Sequence, residues 1–285
     1  MHGIEWDGVD DAMCAAGKGS AIIVAENVQH VAITGSGTVE GQGLIWWREV
    51  KKPGKGKIFR PHTVDFKHVQ HAVLSDTLYQ NGPSHILELG CDNCELDAVR
   101  VFNPPSKGDC EKDNTCSHNT DAVDIHGQPF YVHDVNFTTG DDNVAGHANH
   151  SLVEDSYFGT GHGASIGSLC GEWLTNITFR NITFHGTTAA CRIKSHAGCG
   201  GRVWDVKYED LTIYDVPQAI DLTQFYFGTG SEKKGTFRFE DISFENIKSY
   251  RSGEGGRRRR RCECSSLSSN FTLSLSPEWE ETQPQ

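Results

Sequence analysis

Positive charge is scarce in this 285-residue chain: 26 lysines and arginines face 38 aspartates and glutamates, for a net charge of −12. So anionic a protein is a poor partner for nucleic acid or an anionic membrane, both of which would repel it. A helical period is lacking too. No stretch keeps apolar side chains at 3.6-residue spacing long enough for a major helix. No Pro/Ser-rich linker interrupts the first 250 residues, which predicts one domain there. Hydrophobic residues make up only 36% of the chain, enough for an architecture in which each thin coil packs only on its neighbours. The opening residues, Met1 to Gly8, carry no charged-then-apolar leader. The first strand signal, His30 to Thr34, already reads as mid-repeat, so a truncated stretch of a longer protein is expected.

What the chain does have is a repeat, the first thing to seek in such a composition. Alternating apolar and polar segments recur at 131–137, 151–158, 174–184, 203–213 and 237–247, rich in β-branched and aromatic residues. Period-2 alternation of this kind reads as strands. Aligning the acidic or amide residue that precedes a hydrophobe gives Asp134, Asp155, Asn181, Asp210 and Asp241, in steps of 21, 26, 29 and 31 residues. The 31 glycines suit tight turns between short strands. An all-β, single-stranded right-handed parallel β-helix over residues 1–250 accounts for these facts together. A β-propeller shares the repeat length but needs four strands per blade. Past Tyr250 the alternation stops; five arginines, Arg257 to Arg261, and a Ser-rich acidic stretch follow. Residues 251–285 are expected to be a disordered low-complexity tail or an artefact of the gene reading.

Four polar clusters mark the middle of the chain: Asn119-Thr120-Asp121, Gly140-Asp141-Asp142, Gly161-His162-Gly163 and Arg192-Ile193-Lys194. Asp121 to Asp141 and Asp142 to His162 are 20 residues each, and His162 to Arg192 is 30. Each interval is about one coil, so the clusters should stack on neighbouring rungs about 4.8 Å apart. Three carboxylates, a histidine and a cationic pair would then share one groove. Glycoside hydrolysis needs one protonated carboxyl and one carboxylate across the scissile bond. Three close carboxyls cannot all ionise cheaply, so one should keep its proton to higher pH. Which one acts as the acid is not legible in the residues themselves. Glycines on both sides of His162 let a sugar approach the backbone. Arg192 and Lys194, two apart on a strand, share a face and should repel each other unless an anion sits between them. That anion is either a ligand carboxylate or an Asp or Glu of a neighbouring coil.

Ten cysteines and five Asn-X-Ser/Thr sequons, at Asn136, Asn149, Asn176, Asn181 and Asn270, point to a secreted chain. A zinc site from Cys91 and Cys94 would need Cys110 and Cys116 as its second pair. Disulfides are the better expectation, with Cys110–Cys116 and Cys191–Cys199 as local candidates.

In their order and content, the four clusters resemble those of the polygalacturonases and related pectin hydrolases, glycoside hydrolase family 28. Flanking matches are Gly35 to Gly43, Trp46-Trp47, Arg60-Pro61, Asn81-Gly-Pro and Ser165-Ile-Gly-Ser, so the resemblance runs from about His30 to Lys248. It implies an inverting hydrolase of α-1,4-galacturonan with no cofactor and no metal, secreted and monomeric. It further implies Asp141 as general acid, Asp121 and Asp142 positioning the hydrolytic water, and His162 supporting the acid. Asn119, Arg192, Lys194 and Tyr226 would contact the pectic substrate. Xylogalacturonan and rhamnogalacturonan are alternative substrates. A calcium-dependent pectate lyase and a non-catalytic carbohydrate-binding β-helix are alternatives of other classes. The chain departs from the family pattern at Ala122, where a glycine is usual. It also has Asn143 and Phe158-Gly159-Thr160 where many members carry the two halves of a disulfide.

Overall fold

The computed structural model describes residues 21–50, 59–226 and 236–250, with the backbone of short strands at Glu263–Cys264 and Phe271–Leu275. The strands pair in parallel throughout and wind into a right-handed β-helix. Among the described residues an α-helix, Gly43–Val50, is eight residues long, and a 3-10 turn spans Asp109–Lys112. No described helix is long and apolar enough to cross a membrane.

The alternation that marked the strands is the alternation of burial. Inward side chains form aromatic ladders on successive coils: Phe137 on Phe158 on Phe184, and Phe179 on Tyr208 on Phe244. All six rings are buried, and each buried apolar side chain of this size contributes roughly 1.5–3 kcal/mol.

Between strands the chain must bend sharply, and one recurring corner does it in the left-handed region. Asp134, Asp155, Asn181, Asp210 and Asn246 have φ between 49° and 56°. Short polar side chains tolerate that region best. They also tie coil to coil: Asn181 Nδ2 donates to Asp155 Oδ1 at 2.6 Å, and Asn246 Nδ2 to Asp210 Oδ1 at 3.0 Å. The sequence alignment of this corner is right for its first four members and wrong for the last. Asp241 lies opposite Asp205, between the pairs Trp204–Glu240 and Val206–Ile242, in a second left-handed column. The long strand Thr236–Tyr250 contains both columns, and the hydrophobe after Asp241 mimics the wrong one.

One other expectation changes. Cys170 bonds to Cys199, not Cys191 to Cys199. Cys191 is a free, fully buried thiol because it sits at an inward position of the strand Ala189–His196, whereas Cys170 and Cys199 lie in facing turns. Cys91 bonds to Cys94 and Cys110 to Cys116, which disposes of the zinc reading. Within the stretch read as a tail, Glu263–Cys264 pairs with Gln218–Tyr226, and Phe271–Leu275 pairs with Thr236–Tyr250. The arginine run lies outside the described residues.

Candidate active site

The four clusters gather along one sheet, three in the turns that enter it and Arg192-Ile193-Lys194 on one of its strands. Its strands include Leu87–Asp97, Val123–His126, Val144–Gly146, Ala164–Leu169, Ala189–His196 and Gln218–Tyr226. Asp124, Ala145, Ser165, Arg192 and Asp221 are register partners in succession. Asp121, Asp142 and His162 each precede a member of that row by three residues. They therefore fall in one column of the turn leading into the sheet, one residue per coil.

Asp142 is at the centre. Its side chain is 1% exposed and receives Lys194 Nζ at 2.5 Å on Oδ2 and the Ser165 hydroxyl at 2.8 Å on Oδ1. Arg192 lies 3.6 Å from Oδ1, while its Nε donates to Asp221 at 3.2 Å. Both cations therefore have protein carboxylates from other coils, so of the two anions left open by the sequence the structure supplies the aspartates of nearby coils. Burial works against the Lys194 charge, but Asp142 outweighs it and holds its pKa above the ordinary value. Tyr226 joins them: its ring centre is 5.2 Å from the Arg192 guanidinium and 5.0 Å from Lys194 Nζ.

Asp141 points the other way from the same turn. Its Oδ2 accepts from the backbone and side-chain N–H groups of Asn119 at 3.2 and 3.4 Å. Its Oδ1 accepts from the Asp142 N–H and lies 2.8 Å from His162 Nδ1, a close ion-pair contact off the line of a good hydrogen bond. Burial would raise the Asp141 carboxyl, but His162, the Lys194 charge and the Asp142 N–H together hold it below the usual value.

Asp121 is different. It is buried, and burial followed by the carboxylates of Asp124, Asp141 and Asp142 pushes its proton affinity well above that of an ordinary carboxyl. The like-charge expectation is thus met at Asp121 rather than Asp141.

The turns that hold these groups leave no room for side chains. Gly163 has φ +91°, and a Cβ there would sit 2.2 Å from the Ala189 carbonyl oxygen; one on Gly140 would sit 2.0 Å from that of Ser117. Asn143 ties this turn to its neighbours. Its amide donates to the carbonyls of Phe137 and Thr160 at 3.0 and 3.3 Å and accepts from the Gly163 N–H at 2.9 Å.

Several groups here escaped the sequence reading. Arg60 donates to Pro83 O, His118 O and Asn119 Oδ1, bracing the turn before Asp121. On the N-terminal rungs, His85, Glu88, Asp124 and His126 form a chain of ion pairs that reaches Asp121. Arg60 stood inside a flanking match, and Ser165 and Asp221 follow from the one-coil step; nothing in local spacing marks His85. These pairs neutralise charge, imidazolium against carboxylate.

The fold makes the chain a right-handed parallel β-helix protein. It belongs to the glycosyl hydrolases family 28, whose family model matches residues 4–275. It is 31% identical over 238 residues to endopolygalacturonase D of Aspergillus niger, covering 76% of this chain and 46% of that protein. A polygalacturonase of Juniperus ashei is 27% identical over 231 residues, 75% of this chain and 44% of its own. Among solved structures, the endo-xylogalacturonan hydrolase from Aspergillus tubingensis matches with TM-score 0.77 at 21% identity, over 90% of this chain and 72% of its own. The chain spans about half the length of the curated relatives it matches.

Proposed function

We propose that the protein hydrolyses α-1,4-galacturonosyl linkages of pectic polysaccharide with inversion, as a monomer acting outside the cell. The observation that carries this reading is the meeting of Asp121, Asp141 and Asp142 on adjacent coils beside Arg192 and Lys194. Asp141 donates its proton to the leaving oxygen, with His162 orienting it. Asp121 and Asp142, as carboxylates, position the attacking water. Arg192 over Tyr226 meets a galacturonate carboxylate, for which a guanidinium has the matching fork. Asn119 fixes the rotamer of Asp141, and Lys194 acts through Asp142.

In the free groove the shared proton favours Asp121 over Asp141, because the first carboxyl is raised and the second lowered. The productive form, with the proton on Asp141 and charge on Asp121, is then the minority form of a coupled pair. Extracellular action is supported by the three disulfides, Cys91–Cys94, Cys110–Cys116 and Cys170–Cys199.

The test is release of reducing ends from polygalacturonic acid, with no ultraviolet-absorbing unsaturated product. Such a product would make the protein a lyase; release of neither would end the reading. For the roles, Asp141→Asn should lose most turnover on polymer but regain it on a galacturonide with an activated aryl leaving group, which needs no acid. Asp121→Asn should regain none, and equal behaviour of the two would overturn the assignment.

A further inference from the structure

Asp121 stands in a crowd of like charges. The carboxylates of Asp124, Asp141 and Asp142 face it, and against them stand two cations, His85 and Arg60. Arg60 is committed elsewhere, to Pro83 O, His118 O and Asn119 Oδ1. His85 Nε2 lies 3.6 Å from Asp121 Oδ1. The other edge of that ring is held from the floor of the groove: Nδ1 is 3.1 Å from Glu88 Oε2 and 3.0 Å from Asp124 Oδ2. Glu88 is itself held by His126 at 3.0 Å, and the His62 ring meets His85 edge-on at 5.1 Å.

With carboxylates at both nitrogens, the ring is a fixed cation. Burial opposes the charge of His85, but Asp121, Asp124 and Glu88 outweigh it and push its pKa up to about 12. Burial would also raise Glu88, yet His126 and His85 hold it well below the carboxylate range, so Glu88 stays charged and keeps the ring in place.

We propose that His85 is the positioning residue for Asp121, holding that carboxylate by charge and orientation from the neighbouring coil. The inference rests on the hydrolytic reading of the groove. Its consequence is specific, because His85 opposes all the influences that put the proton on Asp121. Without it the productive form becomes rarer, and the form with the proton on Asp121 gains what it loses.

The pH dependence of kcat/KM, which reports the free enzyme, separates this from a merely structural role. With the proton preferring Asp121, the alkaline limb follows Asp121 and the acidic limb follows Asp141. In His85→Gln the alkaline limb should move up by roughly 1–2 pH units, the span expected for losing an opposite charge at this distance. The plateau should fall by the same factor, about 10- to 100-fold. Above the new limb the two profiles should converge, because there the rate depends on Asp141 alone. His85→Lys, which keeps the charge, should restore much of the plateau. Glu88→Gln, which frees the ring without removing it, should move the limb the same way by less, and carries the test if His85→Gln fails to fold. A loss uniform across pH would overturn the proposal and leave His85 structural.

A second measurement needs no substrate. Carbon-13 titration of the Asp121 carboxyl in the full chain should show its midpoint higher in His85→Gln, and an unchanged midpoint would refute the coupling. If the wild-type chain releases no reducing ends, the hydrolytic reading fails by itself, whatever the carboxyl titration shows.

Discussion

Replacing Lys194 by methionine keeps the volume of the side chain and deletes its charge. The ammonium lies 2.5 Å from Asp142 Oδ2, and the two side chains are 6% and 1% exposed. Breaking one side of such a pair leaves a buried carboxylate without its main counter-ion, which costs about 3–5 kcal/mol. Ser165 at 2.8 Å and Arg192 at 3.6 Å remain on the other oxygen, so the lower half of that range is expected. For a domain of this length that is a fall in melting temperature of roughly 6–15 °C. The double variant Lys194→Met/Asp142→Asn removes both charges and should recover most of the loss, since paired removal from a buried site is often near neutral. Calorimetry of the four members of the cycle measures the coupling. A single variant as stable as wild type, or a double variant destabilised by the sum of the singles, would refute the clamp. In activity, Lys194→Met should slow hydrolysis of acid and methyl-esterified polymer alike, because it acts on Asp142. Selective loss on the acid polymer would show that the lysine reads substrate charge directly.

Asn143→Ala should cost about 1–3 kcal/mol for each buried backbone group it strands, seen in denaturant unfolding, while a reductant leaves the wild-type turn at Asp142 intact because hydrogen bonds of Asn143 hold it. Cys170→Ala opens a loop of 29 residues and should lose ~3–4 kcal/mol of stability, more than Cys110→Ala with its separation of 6, again by unfolding. Gly163→Ala should abolish activity on polymer, since its Cβ collides with the Ala189 carbonyl and its φ is strained, and a crystal structure should show the His162 turn displaced. His85 keeps its proton in the fold to about pH 12 and loses it near 6.5 when unfolded, so its contribution is whole below roughly pH 6.5 and drains as pH rises towards 12. Melting temperature should therefore fall more steeply on the alkaline side in wild type than in His85→Gln.

The legible parts of this protein are those that each coil states for itself. The corner residues Asp134, Asp155, Asn181 and Asp210 could be found because few side chains suit a left-handed bend, and that chemistry recurs at every turn. The four clusters could be found because each is written within three residues. What stayed hidden needed two coils at once. The partners of Lys194 and Arg192 are Asp142 and Asp221, 52 and 29 residues away, and only the register of the sheet makes them neighbours. The same holds for Cys170, whose partner was misassigned because Cys191 is nearer in sequence while its side chain faces inward. His85 was missed for a related reason: Asp121 and Asp124 lie on the next coil, and no motif spans the gap.

Because the groups that grip Asp142 come from windings later than its own, the cluster exists only once those windings have docked. A chain folded only as far as Phe158 could pair its strands, stack Phe137 on Phe158 and still hold the Asp142 carboxylate without its counter-ions. Relief arrives when the winding with Arg192 and Lys194 closes over Ser165, and Asp221 follows one winding later. A chain interrupted near residue 190 would therefore lack the side chains that complete the cluster around Asp142.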